Sequence, residues 1–353
     1  MTIWTRALAV TALAALSACG GSSARAASPT GPAAELRLGY FANVTHAGPV
    51  YGVASGTYQR ALGATRLRPR VLSAGPAAVE ALFAGSLDAA YVGPSPAVNA
   101  FVKSGGEAVR IVAGATSGGA ALVVRPGITD PGQLRGRHLA DPQLGGTQDV
   151  ALRTYLRDHG LHVDLQGGGD VTVLAQDNAQ TLDLFRAGRI DGAWVPEPWA
   201  SRLVLEAGGR VLVDEKALWP GGRFVTTNLL VRTRFLQQHP ETVTALLRGQ
   251  LAADRALVAP AGAAKAEARQ VVNTELIRLT GRSLPPAVLA RAFAGIEVTE
   301  EPLASTLRTT AEHSFATGLV PPADLRGIYD LTLLDQVLGR TVDDAGLQKG
   351  LTA

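Results

Sequence analysis

Apolar and polar positions alternate through "ELRLGYF", residues 35–41, which reads as a strand running into the loop "ANVTH". The segment from Ala47 to Tyr58 that follows can form a helix. "LRPRVLSAGP" is a second strand ending in a loop, and "PAAVEALFAG" spaces Val79, Leu82 and Phe83 on one helical face before Gly85 stops it. "LDAAYVG" is an apolar run of strand length. Strand, loop and helix in this order predict an α/β chain whose parallel strands are covered by helices.

The order recurs. "RHLADPQLGGTQDVALRTYLRDHG" reads as strand, glycine loop and helix, "VTVLAQ" as a strand, "NAQTLDLFRAG" as a helix stopped by Gly188, and "IDGAWV" as a strand. Setting Asp88 over Asp191, an offset of 191 − 88 = 103, brings Val79 over Leu182, Leu82 over Phe185, Gly85 over Gly188, Tyr91 over Trp194 and Leu36 over Leu139. Ungapped agreement of this length predicts two lobes built to one plan. "DGAWVPEPWA" is then the second lobe's copy of "DAAYVGPSPA". Both loops follow strand ends, where open α/β sheets hold ligands, and together they would enclose a cleft.

The N-terminus changes the setting. Arg6 precedes an apolar run from Ala7 to Ala18, too short to span a bilayer, and the run resembles a secretory signal. "LSAC", Leu16 to Cys19, resembles the lipobox of bacterial lipoproteins, in which the cysteine becomes the lipid-modified first residue. Ordinary cleavage after "ARA", Ala24 to Ala26, is the competing reading. Cys19 is the sole cysteine, so it has no disulfide partner and no second thiol ligand. The expected layout is a signal at 1–18, a tethered spacer at 19–34 and a body outside the membrane. With 46% hydrophobic and 18% charged residues the body is globular. The net charge of +3 is scattered without aromatic interleaving, which speaks against nucleic acid as partner.

Five segments in order, "GYFANVTHAGPVYGVASGTY", "AGPAAVEALFAGSLDAAYVGPSPAVNAF", "ITDPGQLRGRHLADPQLGGTQDVALRTYL", "FRAGRIDGAWVPEPWASRLV" and "GLVPPADL", together resemble the substrate-binding proteins of ABC importers for aliphatic sulfonates, nitrate and taurine. The resemblance implies a two-lobed periplasmic-binding-protein fold of type II, each lobe a mostly parallel sheet flanked by helices, with a double-crossover hinge. The crossings are expected near Ala121–Gly127 and Phe224–Arg232, giving a first lobe of 35–122 with 226–353 and a second of 123–225. It further implies a monomer that captures a small organic anion, a sulfonate before nitrate, taurine or a vitamin precursor, and delivers it to a permease with its ATPase subunits, without cofactor or metal.

An anion needs oriented donors, and helix N-termini supply them. Four loops lead into predicted helices: Asn43, Thr45 and His46; Gly75 with Pro76; Ser95 with Pro96; and Gly146 to Gln148, including Thr147. Each could equally be a plain cap. Thr116, Ser117 and Gly118 are candidates because the resembled family turns this region to the ligand. A protonated His46 would pair with an anion, and a neutral one could still donate one bond. Trp194 and Trp199 are expected as walls beside the ligand's carbon chain, although Trp194, over Tyr91 in the repeat, could be core. Glu197 could take the amine of a zwitterion, cap a helix beginning near Pro198 or face solvent.

Enzyme motifs are lacking: there is no G-x-S-x-G, G-x-x-x-x-G-K or G-x-G-x-x-G, and "HGLH", His159 to His162, has no further ligands nearby. The pyrimidine synthases that share the resembled fold use a cysteine-rich motif, absent here. An exported enzyme acting through Asp141, Asp177, Glu197 or His46 is the reading from another class.

Overall fold

The computed structural model describes residues 30–342; Cys19, the apolar run and most of the expected spacer lie outside them. Strands β1 (Glu35–Phe41), β2 (Arg66–Leu72), β3 (Ala89–Val92) and β4 (Val109–Gly118) belong to a first sheet. A second sheet holds β5 (Ala120–Val124), β6 (His138–Asp141), β7 (Thr172–Ala175), β8 (Gly192–Pro196) and β9 (Arg210–Asp214). The chain then returns to the first sheet with β10 (Val225–Arg232) and β11 (Ile296–Val298). Spatial orders are β11-β4-β10-β3-β1-β2 and β7-β6-β8-β5-β9.

Strands β1, β2 and β3 run parallel, as do β6, β7 and β8, and these trios are the two copies of the repeat. The strands on either side of the inter-sheet passages run against them: β10 is antiparallel to β3 and β4, and β5 to β8 and β9. Each sheet is therefore mixed rather than mostly parallel. The first passage falls at Gly119, ahead of β5, so the expected boundary at 122/123 lies inside a strand of the second sheet. The second passage spans 215–224, immediately before β10.

Helices α1 (Ala47–Ala54), α2 (Thr57–Leu62), α3 (Gly75–Phe83) and α4 (Pro94–Lys103) pack on the first sheet, and α5 (Thr147–Asp158), α6 (Asn178–Arg186) and α7 (Trp199–Ala207) on the second. The single helix expected from Ala47 to Tyr58 is broken after Ser55, where Gly56 takes φ +73° and caps α2, with Ser55 Oγ accepting the Thr57 N–H across the break. After β10 come α8 (Thr233–Gln238), α9 (Pro240–Val258), α10 (Ala263–Thr280), α11 (Pro286–Gly295), α12 (Ala304–Ala316) and α13 (Thr332–Leu338). Of these, α9 and α10 cover α1, α12 lies on α4, and α11 meets α7 of the second lobe.

Both faces of each sheet are buried, which is why the inner strands read as apolar runs. In the first lobe Leu36, Leu38, Tyr40 and Leu229 face α1 and α9, while Ala90, Val92 and Leu230 face α3 and α4. Val79 and Leu82 join that second core, but Phe83 is 44% exposed and does not share their face.

The repeat is physical. The bounds of α3 and α6 differ by 178 − 75 = 103 and 186 − 83 = 103. Asp88 Oδ2 accepts the Arg37 backbone N–H at 2.9 Å, and Asp191 Oδ2 accepts that of His138 at 2.9 Å, so one carboxylate pins each central strand pair. Leu38 pairs with Ala89 and Leu139 with Gly192, so β1 and β6 correspond at 139 − 38 = 101. Leu139 therefore answers to Leu38 rather than Leu36, a shift of two residues that keeps the same face.

Candidate functional site

Between the lobes lies a small cavity, with ≈ 30 Å³ open to water, room for about two water molecules. Its walls are the ends of elements. Asn43, Thr45 and His46 come from the turn after β1; Ser73, Ala74 and Gly75 from the start of α3; Gly93 and Pro96 from the start of α4; Thr226 from β10. The second lobe adds Pro142, Gly146, Thr147 and Gln148 at the start of α5, Asn178 at the start of α6 and Pro196 at the end of β8. Four helices of nine or more residues thus aim their N-termini at one small space, where backbone N–H groups and helix dipoles favour negative charge. No Lys, Arg, Asp or Glu lies on this wall among the described residues.

His46 is uncharged here. Burial depresses its pKa to about 3, and its Nδ1 accepts the Phe41 backbone N–H at 3.4 Å, which leaves the ring hydrogen on Nε2. The ring packs on Phe41 at 4.4 Å. A neutral ring of this tautomer can donate from Nε2 and carries no positive charge.

Of the residues singled out in the sequence, Asn43, Thr45, His46, Gly75, Thr147 and Gln148 line this one cavity. Ser95 is not on the wall; it is buried in the first turn of α4, between Pro94 and the Pro96 that reaches the cavity. Thr116, Ser117 and Gly118 lie in the end of β4, paired with β10 and β11. Ser117 Oγ accepts the Phe224 N–H at 3.3 Å and the Gly118 carbonyl accepts Thr226 Oγ at 2.6 Å, so this segment secures the passage between lobes. The φ of +75° at Gly118 and +80° at Gly119 explains the double glycine, since the chain takes left-handed backbone where it leaves the first sheet for the second.

The aromatic loop also departs from expectation. Trp194 is fully buried and donates from Nε1 to Glu215 Oε2 at 2.7 Å, with Tyr155 edge-on at 5.7 Å. It is core because its strand is buried on both faces. Burial pushes Glu215 up to about 7, the indole N–H partly offsetting it. Trp199 begins α7 and does not touch the cavity; its Nε1 donates 2.9 Å to Asn43 Oδ1, and the Arg202 guanidinium lies 5.2 Å over its ring. Glu197, one residue ahead of the Pro198 cap, serves the first turn of α7: its carboxylate accepts the Ser201 N–H at 3.1 Å and the Ser201 hydroxyl at 2.9 Å, and it is not on the cavity wall. Burial raises its pKa and the Ser201 bonds pull it back. Its backbone carbonyl accepts the Val44 and Thr45 N–H groups at 3.0 and 3.4 Å, tying the second lobe to the turn of the first.

Sequence reasoning missed Ser73, Gly93, Asn178, Pro196 and Thr226. The repeat held the signal for two pairs. Adding 103 to Gly75 gives Asn178, and adding 103 to Gly93 gives Pro196, so each lobe contributes the same two positions.

The pattern that defines the NMT1-like family matches residues 30–273, more than half of the chain. The chain belongs to this family. It is 28% identical over 207 residues to the taurine-binding periplasmic protein of Escherichia coli (strain K12), a match covering 58% of this chain and 62% of that protein. The chain thus spans less than two thirds of that relative's length. Among solved structures it resembles the alkanesulfonate-binding protein SsuA from Xanthomonas axonopodis pv. citri bound to MOPS, with a TM-score of 0.67, 24% identity and coverage of 82% of this chain and 96% of that one. The periplasmic nitrate-binding protein NrtA from Synechocystis PCC 6803 superposes with a TM-score of 0.74 at 15% identity, covering 92% and 93%. At these identities the two structures establish the shared fold: two mixed sheets flanked by helices.

Proposed function

We propose that this chain is the extracytoplasmic solute-binding protein of an ABC importer, capturing a small organic anion between its lobes and delivering it to a permease and its ATPase subunits. The observation that carries the reading is the convergence of four helix N-termini and neutral donors on one cavity without a charged side chain. Helix dipoles and hydrogen bonds can hold an anion there without a countercharge, and opening of the cleft would separate the donors of one lobe from those of the other. The names of the relatives agree in substrate class: taurine, alkanesulfonates and nitrate. An aliphatic sulfonate is our first choice, in line with the taurine and alkanesulfonate named for the relatives. Glu197 is committed to Ser201, which leaves the cavity wall without a carboxylate for the ammonium of taurine.

The reading includes export with lipidation at Cys19, a monomeric state and no chemistry on the ligand. None of the described helices is long and apolar enough to cross a membrane. A panel of nitrate, methanesulfonate, taurine and longer alkanesulfonates, screened by thermal shift and then titrated calorimetrically, tests the proposal, because a ligand that binds only the native state raises its melting temperature. A panel without a single shift would reject it; a ligand recovered chemically altered would turn the reading to an exported enzyme.

A further inference from the structure

The turn at residues 43–46 can be audited group by group. Its carbonyl acceptors are spent within the protein: Asn43 O on the His46 N–H, Val44 O on the Ala47 N–H and Thr45 O on the Thr227 hydroxyl. Its backbone donors are spent too, Asn43 N on Phe41 O, and Val44 and Thr45 N on the Glu197 carbonyl. The His46 acceptor Nδ1 is taken by the Phe41 N–H. That leaves the Asn43 amide, whose oxygen accepts the Trp199 indole N–H at 2.9 Å from the opposite lobe. Among the described residues, the turn's side chains have no partner for Asn43 Nδ2, His46 Nε2 and the Thr45 hydroxyl, and all three residues border the cavity.

We infer that Trp199 is a positioning residue: reaching across from the second lobe, it holds the Asn43 amide with its NH2 toward the cavity, so that the turn meets the ligand with N–H donors and one adaptable hydroxyl. An amide free to flip would present oxygen as readily as nitrogen, and its oxygen would repel an oxyanion. Because Asn43 and Trp199 belong to different lobes, the orienting bond exists only when the lobes are together. Closure therefore selects the amide rotamer that suits a ligand rich in acceptors, and selects against ligands that offer hydrogen-bond donors at this end. The inference rests on the solute-binding reading and deepens it, from an anion site in general to a head group that only accepts.

Trp199→Phe keeps an aromatic ring but removes the indole N–H and part of the packing, a loss common to both backgrounds below; Asn43→Ser removes the amide. Methanesulfonate is titrated into wild type, each variant and the double variant. Trp199→Phe should weaken binding about tenfold in the wild-type background, the worth of an orienting hydrogen bond to a charged ligand. In the Asn43→Ser background the same replacement should cost less than about twofold, since nothing is left to orient. A tryptophan that merely packs would cost the same in both, and that result would overturn the inference. The indole 1H–15N resonance of Trp199, read at saturating methanesulfonate, supplies a second readout that does not depend on whether Trp199→Phe folds: it should differ between wild type and Asn43→Ser, and an unmoved resonance would also overturn the inference. A wild type that binds neither methanesulfonate nor nitrate rejects the functional reading, and with it the inference, an outcome distinct from binding with equal losses in both backgrounds.

Discussion

Gly93 caps α4 at φ −72° and ψ 168°, a conformation that alanine adopts without strain. Its single extra methyl is nevertheless expected to keep the lobes apart. A Cβ at this position would overlap Thr147 Oγ of the second lobe and stand 3.1 Å from Thr147 Cβ, so turning the hydroxyl aside does not clear it. Overpacking by a methyl in a close-packed contact costs about 1 to 3 kcal/mol, and here only the closed form bears the cost. Gly93→Ala should therefore weaken anion binding by about 5- to 150-fold while leaving the melting temperature of the free protein nearly unchanged, since opening relieves the clash. Calorimetric titration with methanesulfonate gives the affinity, and the radius of gyration from solution scattering reports closure. Adding Thr147→Ala should recover part of the loss when the double variant is compared with Thr147→Ala alone. Wild-type affinity and wild-type compaction in Gly93→Ala would refute the reasoning, as would a penalty of the same size in the Thr147→Ala background.

Three further outcomes are expected. With its pKa near about 3, His46 stays neutral, so anion affinity should vary by less than about twofold between pH 5 and 8; a steep gain toward pH 5 would mean that His46 is charged when ligand is bound. Asp254, buried beside Tyr58 and Tyr91 and near Glu300, has its pKa raised well above the ordinary 3.8, chiefly by burial. Above that pH the unfolded chain releases a proton that the folded chain keeps, so stability is lost as pH rises, and Asp254→Asn should raise the melting temperature at about pH 7.5 and not at about pH 3.5. Leu203, 1% exposed in the second lobe's core, should cost about 2 to 5 kcal/mol of stability as Leu203→Ala, read by denaturant unfolding, and change ligand selectivity little.

Local pattern determined much of this protein. The spacing of Val79 and Leu82, the stop at Gly85 and their copies at Leu182, Phe185 and Gly188 marked out α3 and α6, and Asp88 and Asp191 marked the strands they lead into. These features repeat because each lobe solves the same packing problem with short-range means: periodicity, caps and turns. Some of the cavity's neutral donors, Asn43, Thr45, His46, Thr147 and Gln148, were legible as residues placed ahead of helices, whereas Ser73, Asn178 and Thr226 were not. What local pattern left open was the direction in which each loop faces across the gap. Trp194 and Trp199 look alike in sequence, yet one is sealed among Tyr155 and Glu215 and the other bonds to Asn43, 156 positions away. Glu197 could have faced the ligand, and Ser201 four residues on took its carboxylate. Thr116 to Gly118 were spent on β10 and β11, strands contributed from the far end of the chain. A side chain at a strand end chooses between core, cap and cleft by which partner the fold brings to it, four residues on for Glu197, 21 away for Trp194 and 156 away for Trp199, and the pattern of apolar and polar positions does not say which of these partners wins.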